Sequence, residues 1–248
     1  MPRKNIVACL VTAAALVAAR ANAQDTLTVG ITTTGVPFTF VDTKSLAPTG
    51  AMVDLATKIA TENGMRPDFQ ISAFPALIPA LTTGKINLIS AAMFVTEKRK
   101  EVLDFSVPVY EYGEAMFVRA DDPTNYSMQA LRGEIVGAPI GSAIADDLKA
   151  THLFGEVREY ESIGDIMHDV KLGRLKAGFA DRPIVAYELA QRPELGVRLV
   201  PGYQAMHIGQ VALAVDKGNE TLLARVNATI AKLKQNGDLS KIFAHYGL

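Results

Sequence analysis

Residues 74–110 read FPALIPALTTGKINLISAAMFVTEKRKEVLDFSVPVY, a stretch in which a short apolar run is followed by a highly charged one. Ile86–Ala91 within it is predicted to be a strand, because the run is short and of the β-forming type. Working outward in both directions, five more runs of this kind are predicted strands: Leu27–Ile31, Ala115–Arg119, Ile135–Ala138, Ala177–Ala180 and Val211–Val215.

Helical patterns lie between these strands. One helix is indicated by an apolar stripe at helical spacing, formed by Met52, Leu55, Ala56, Ile59 and Ala60. Gly64 ends that helix, and a capping box of Ser162 and Asp165 begins another that stops at Gly173. The last long helix is predicted over Glu220–Gln235. Alternating strands and helices are typical of α/β proteins whose parallel sheets are flanked by helices.

Two interruptions divide this alternation. Around Ala120–Pro123 and Leu131–Gly133 the pattern breaks and a new series of strands and helices begins, which predicts that the chain crosses to a second lobe near residue 114. A second break at Pro201–Tyr203 is followed by a strand and the terminal helices, which are expected to complete the first lobe.

The N-terminus has the pattern of a Sec signal peptide. Arg3 and Lys4 precede an apolar run over 6–19, and the triplet Ala21-Asn22-Ala23 predicts cleavage after Ala23. That run is shorter than the roughly 20 residues of a membrane span. The sole cysteine, Cys9, lies near the start of the run, where lipid attachment is not expected. We therefore expect an exported protein of the periplasm.

The composition disfavours several classes of function. With 25 basic and 26 acidic side chains the formal net charge is −1, which favours neither nucleic acid nor anionic lipid as a partner. No cofactor or metal is expected, because the four histidines stand far apart without the spacing of metal ligands: His152, His168, His207 and His245.

Three blocks of sequence resemble a known family. The first is Phe74–Leu81 followed by Gly84–Ile89, the second is Thr96–Lys100 running into Asp104–Tyr110, and the third is Asp181–Pro183. In order and spacing they are similar to the polar amino-acid family of periplasmic solute-binding proteins, the family 3 solute-binding proteins. The likeness covers Leu27–Leu248.

This resemblance implies a two-lobed α/β fold of the periplasmic-binding-protein type, in which each lobe is a mainly parallel sheet flanked by helices. Lobe one would comprise residues 24–113 and 208–248, and lobe two residues 114–207, joined by a two-segment hinge. The implied function is non-enzymatic: interlobe closure around an amino acid or related small zwitterion, for delivery to an ABC permease in the inner membrane. Members of this family usually act as monomers.

Arg99 is the leading candidate for a ligand contact. The resemblance places it at the family's carboxylate-binding arginine, and a guanidinium presents a planar fork of donors that fits a carboxylate. The alternative is a solvated side chain in the basic run Lys98–Lys100.

Three more candidates follow from the resemblance. Ser142 begins a predicted helix whose N-terminal amides attract a carboxylate, although its side chain can also simply cap the helix. Ala143 stands where many relatives carry a threonine that touches the ligand. Asp181 corresponds to the acid that receives the α-ammonium group, with helix capping before Pro183 as the alternative.

Aromatic residues complete the predicted site. Phe38 and Phe74 match aromatic residues that sandwich the ligand, and Phe94 lies where serine or threonine is usual; with Ala92 they are candidate lining residues. Three rings would form a cage similar to that of ectoine-binding members, suited to a delocalised or alkylated cation. Gly35 departs from both patterns, because amino-acid binders often have tyrosine there and ectoine binders an acid.

Two other functions occur on this fold. Cyclohexadienyl dehydratases resemble these binding proteins and need a general acid in the cleft, for which Glu111 and Glu114 are the candidates near the hinge. Solvated hinge glutamates are the favoured interpretation. A sensor domain is disfavoured because no transmembrane or catalytic extension precedes Leu248.

Overall fold

The computed structural model describes residues 25–248 as a mixed α/β structure with two large sheets. The predicted signal peptide, residues 1–23, lies outside the described residues. With strands numbered in chain order, the first sheet has the spatial order β4 (Arg66–Ile71), β1 (Thr26–Ile31), β5 (Leu88–Ile89), β13 (Ala214–Asp216) and β6 (Leu103–Phe105). The second has the order β11 (Val197–Leu199), β7 (Tyr110–Arg119), β10 (Ala177–Asp181), β8 (Ile135–Pro139) and β9 (Glu156–Tyr160).

Three short strands stand apart from those two orders. β12 (Ile208–Val211) pairs with β7, and β2 (Phe40–Val41) pairs with β3 (Pro48–Thr49). The α-helices are α1 (Ala51–Glu62), α2 (Leu77–Thr82), α3 (Glu97–Lys100), α4 (Ala143–Ala150), α5 (Ile163–Lys171), α6 (Arg182–Gln191), α7 (Glu220–Gln235) and α8 (Asp238–His245). Within residues 25–248, no helix combines the length and apolar character required to cross a bilayer.

The helices that the sequence indicated form where local signals placed them. Ser162 Oγ accepts the Asp165 amide at 3.1 Å, so the capping serine begins α5 as predicted. Gly64 follows α1 with φ +69°, a left-handed conformation that glycine adopts without strain. The stripe of α1 is buried against the first sheet, and α7 has the predicted bounds.

Both sheets are mixed, whereas mainly parallel sheets were predicted. In the first sheet β1 runs parallel to β4 and β5, but β13 is antiparallel to β5 and β6. In the second sheet β8 runs parallel to β9 and β10, but β7 is antiparallel to β10 and β11. The antiparallel strands lie at the two places where the chain passes between the sheets: β7 spans the first passage, and β13 follows the second.

The chain passes between the sheets along a two-stranded ladder. The first half of β7 pairs with β12, with Gly113 opposite Ile208, while its second half belongs to the second sheet. The predicted strand Val211–Val215 is wrong as a single element. It divides at Ala212, because the Leu213 amide turns to Ser106 Oγ at 3.1 Å before the chain joins the first sheet as β13.

Candidate ligand-binding site

A pocket lies where strand ends from both sheets converge. Thr32 follows β1 and Ala91 follows β5, whereas Ile140 follows β8 and Asp181 ends β10. The pocket has a volume of about 70 Å³, several times the roughly 10–15 Å³ that one water needs. Open α/β sheets bind ligands at the carboxyl ends of their strands, so this is the expected position for a small molecule.

Arg99 lies in this pocket and is 8% exposed. Thr96 caps α3 by accepting the Arg99 amide at 3.2 Å, which fixes the backbone beneath the guanidinium. Nη1 donates to Phe94 O at 2.6 Å, Nη2 donates across the pocket to Gly141 O at 3.1 Å, and Cζ lies 5.5 Å from the centre of the Phe74 ring. The solvated alternative is therefore not what the fold produces.

The charge of Arg99 is not balanced by an ion pair within residues 25–248. Burial lowers the pKa of its guanidinium, and the charges of Asp146 and Asp181 act in the opposite direction. Arginine nevertheless stays protonated in proteins. A buried cation that donates to two carbonyls retains donors for an anion.

Asp181 supplies an opposite charge to the same pocket. Although it occupies the position before α6, its side chain makes no capping hydrogen bond. Burial raises the pKa of its carboxyl, and a hydrogen bond with the Tyr112 hydroxyl and the positive charge of Arg99 offset part of that rise. A desolvated carboxylate of this kind is stabilised by a cationic hydrogen-bond donor.

Ser142 and Ala143 line the pocket at the start of α4. Ser142 Oγ accepts the Ala145 amide at 3.1 Å and donates to Pro139 O at 2.7 Å, so its side chain caps the helix. Gly141 has φ +69° and brings the backbone close to Pro75, the residue after the lining Phe74. A helix N-terminus thus reaches the pocket beside Arg99, an arrangement that favours an anionic group.

The aromatic walls differ from those predicted. Phe74, Phe94 and Ala92 line the pocket, but Phe38 is fully buried and does not. The Tyr112 ring stacks on the Phe38 ring with 5.4 Å between the ring centres, and its centre lies 4.7 Å from that of Phe94. Tyr112 on β7 thus lines the pocket, and Phe38 packs behind it in the core.

Several lining residues had not been singled out from the sequence. Besides Tyr112 they include Ile140, Ile144, Glu161, Ile163 and Ile184. Glu161 and Ile163 lie on either side of Ser162, the cap of α5. The capping box predicted where this helix begins, but only the fold brings the start of the helix to the pocket. Isoleucines in helices and strands are normally core residues, so no sequence signal distinguished these.

Glu111 and Glu114 lie outside the pocket. Glu114 is 3% exposed, so the solvated interpretation is wrong for this residue. Its Oε1 accepts from Tyr203 Oη at 2.6 Å and from the Met206 amide at 2.7 Å. Glu111 is exposed on β7, opposite Gln210. Neither occupies the position that a general acid in the cleft requires, so Glu114 stabilises the junction between segments instead.

Comparison with known proteins places this geometry in a family. A model of bacterial extracellular solute-binding proteins, family 3, matches residues 27–248. ABC transporter arginine-binding protein 1 of Escherichia coli (strain K12) is 27% identical over 223 residues, which are 90% of this chain and 90% of the relative.

Two solved structures are similar over the same length. An ancestral arginine-binding protein bound to arginine is 32% identical with a TM-score of 0.81, covering 89% of this chain and 97% of that one. The ancestral amino acid-binding protein AncCDT-1, described as a precursor of cyclohexadienyl dehydratase, is 28% identical with a TM-score of 0.79 over 89% and 95% of the two chains. The fold is therefore the two-lobed one of periplasmic binding proteins, and the chain belongs to the bacterial extracellular solute-binding proteins, family 3.

Proposed function

We propose that this protein is the periplasmic amino-acid-binding component of an ABC importer, and that it binds one amino acid and delivers it to the permease in the inner membrane. The observation that carries the proposal is the pair Arg99 and Asp181. These two oppositely charged, desolvated side chains face one pocket, and neither has an ion-pair partner within residues 25–248.

The charges of this pair match an α-amino acid. A ligand carboxylate would accept from the Arg99 guanidinium and lie near the start of α4, while the α-ammonium group would donate to Asp181. A buried charge without an ionic partner destabilises the empty protein by several kcal/mol. A zwitterion that pairs with both Arg99 and Asp181 removes this destabilisation, and the difference contributes to the binding free energy. The binding energy thus comes chiefly from the two ends of the ligand's α-carbon unit.

An aromatic cage is a second contribution from the same pocket. Phe74, Phe94 and Tyr112 form its walls, with Tyr112 where Phe38 was expected. A fully alkylated ammonium would gain cation–π attraction but has no N–H to donate to Asp181. We therefore favour a primary amine over betaine-like solutes.

Closure of two lobes would trap the ligand. Lobe one comprises residues 24–113 and 208–248, and lobe two comprises residues 114–207. The protein acts as a monomer. Two contacts join residues of lobe one to residues of lobe two and support closure: Arg99 Nη2 with Gly141 O at 3.1 Å, and Lys98 Nζ with Asp146 Oδ2 at 3.2 Å. Binding without turnover is the expected behaviour, because Glu111 and Glu114, the candidate general acids of a dehydratase, lie outside the pocket.

The test is a thermal-unfolding screen of the chain from residue 24 with the twenty amino acids, ectoine and glycine betaine. At a hundred times its Kd, a ligand of the native state stabilises by about 2.7 kcal/mol, which raises Tm by about 5–10 °C for a chain of this size. Arg99→Ala should abolish the shift, and the exposed control Arg66→Ala should keep it. An unchanged response in Arg99→Ala would refute the proposal.

A further inference from the structure

Glu161 is the one lining acid without an assigned role. It directly follows β9 and precedes Ser162, the cap of α5. The side chains on either side of it already have hydrogen-bond partners: Tyr160 Oη donates to Asp169 at 2.7 Å, and Ser162 Oγ donates to Asp165 at 2.6 Å. The Glu161 carboxylate has no ion pair or hydrogen bond within residues 25–248, although it lines the pocket.

The position of Glu161 differs from that of the other charged groups. Arg99 is 8% exposed and Asp181 is desolvated, whereas Glu161 is an exposed residue that still borders the pocket. It therefore lies at the mouth. Apolar side chains, including Ile140, Ile163 and Phe94, form most of the remaining wall.

With the α-carboxylate and α-ammonium groups of an amino acid bound, the pocket and these two groups together carry a net charge of −1. Arg99 and Asp181 compensate the carboxylate and ammonium of the α-carbon unit, and Glu161 contributes one further negative charge. A neutral side chain would leave that charge unpaired at the mouth. A side chain with an apolar stem and a cationic end would pack against the isoleucines and place its charge beside Glu161.

We propose that Glu161 is a specificity-determining residue that selects amino acids with a cationic side chain, such as lysine or arginine. This inference rests on the proposed function, since it takes the α-carbon unit to be held by Arg99 and Asp181. Because Glu161 is exposed, its pairing with the ligand is screened by salt, and its contribution corresponds to about a tenfold change in affinity, the size of one partly exposed charged hydrogen bond.

The experiment is isothermal titration with lysine and with norleucine, which has a similar stem but no terminal ammonium. The wild-type protein should bind lysine at least about tenfold more tightly than norleucine, and added salt should narrow the difference. Glu161→Gln should weaken lysine about tenfold and leave norleucine unchanged. Glu134→Gln is the matched control, since Glu134 is an exposed glutamate before β8, at the other end of the same sheet.

The outcomes separate the two proposals. Norleucine binding as tightly as lysine to the wild type, or Glu161→Gln weakening both ligands equally, would overturn the role of Glu161 while leaving amino-acid binding intact. Failure of the wild type to bind any amino acid would overturn the proposed function, and this inference with it. A wild type that binds norleucine as tightly as lysine overturns the role of Glu161 even if a variant folds poorly.

Discussion

Substituting Gly141 with alanine should weaken ligand binding because the added Cβ would press against a neighbouring residue. Gly141 has φ +69°, and a left-handed conformation costs alanine about 1–2 kcal/mol. A Cβ there would lie 3.2 Å from Pro75 Cβ, so the loop or Pro75 must shift by a few tenths of an ångström. That shift would displace Gly141 O, which accepts from Arg99 Nη2 at 3.1 Å.

Gly133→Ala provides the matched control for this prediction. Gly133 lies just before β8, whereas Gly141 lies just after it. Gly133 also has a positive φ, +77°, but a Cβ added to Gly133 would meet nothing within 4 Å. Urea unfolding should show a loss of about 1–2 kcal/mol for both variants. Calorimetric titration should show about tenfold weaker ligand binding for Gly141→Ala only, the value of one charged hydrogen bond. Equal affinities in the two variants would refute the proposed coupling between this loop and Arg99.

The remaining predictions concern the pocket charges and a cap. Because burial raises the pKa of Asp181, the folded state binds its proton more tightly than the unfolded state, and this group destabilises the empty protein as pH rises through the raised pKa. Asp181→Asn should therefore increase the unfolding free energy of the empty protein at pH 7 and weaken amino-acid binding by at least about 2 kcal/mol; a less stable variant with full affinity would contradict this. Lys98→Ala should change affinity by less than about threefold in titrations, since its pair with Asp146 is exposed, and a larger loss would show that this pair holds the closed form. Ser162→Ala should cost about 1 kcal/mol in urea unfolding through the lost cap of α5, and an unchanged midpoint would contradict that role.

Local signals predicted the helices better than the strands. The cap at Ser162 and the stripe of α1 depend on residues within a few positions of one another, and both are present in the structure. The strand predicted over Val211–Val215 required knowing that Val211 pairs with β7 while Ala214 pairs with β5 and β6. Those partner strands lie about a hundred residues away in sequence, so the local hydrophobic pattern does not identify them.

The amino-acid sequence by itself determined the α/β class, the end of α1, both ends of α5 and of α7 and, through its resemblance to a family, the choice of Arg99, Ser142 and Asp181 as pocket residues. Only the tertiary structure decided that Tyr112 rather than Phe38 forms the aromatic wall and that Glu161 borders the mouth. Helix formation follows from neighbours in sequence, whereas the surface of a pocket is created by the pairing and packing of strands distant in sequence.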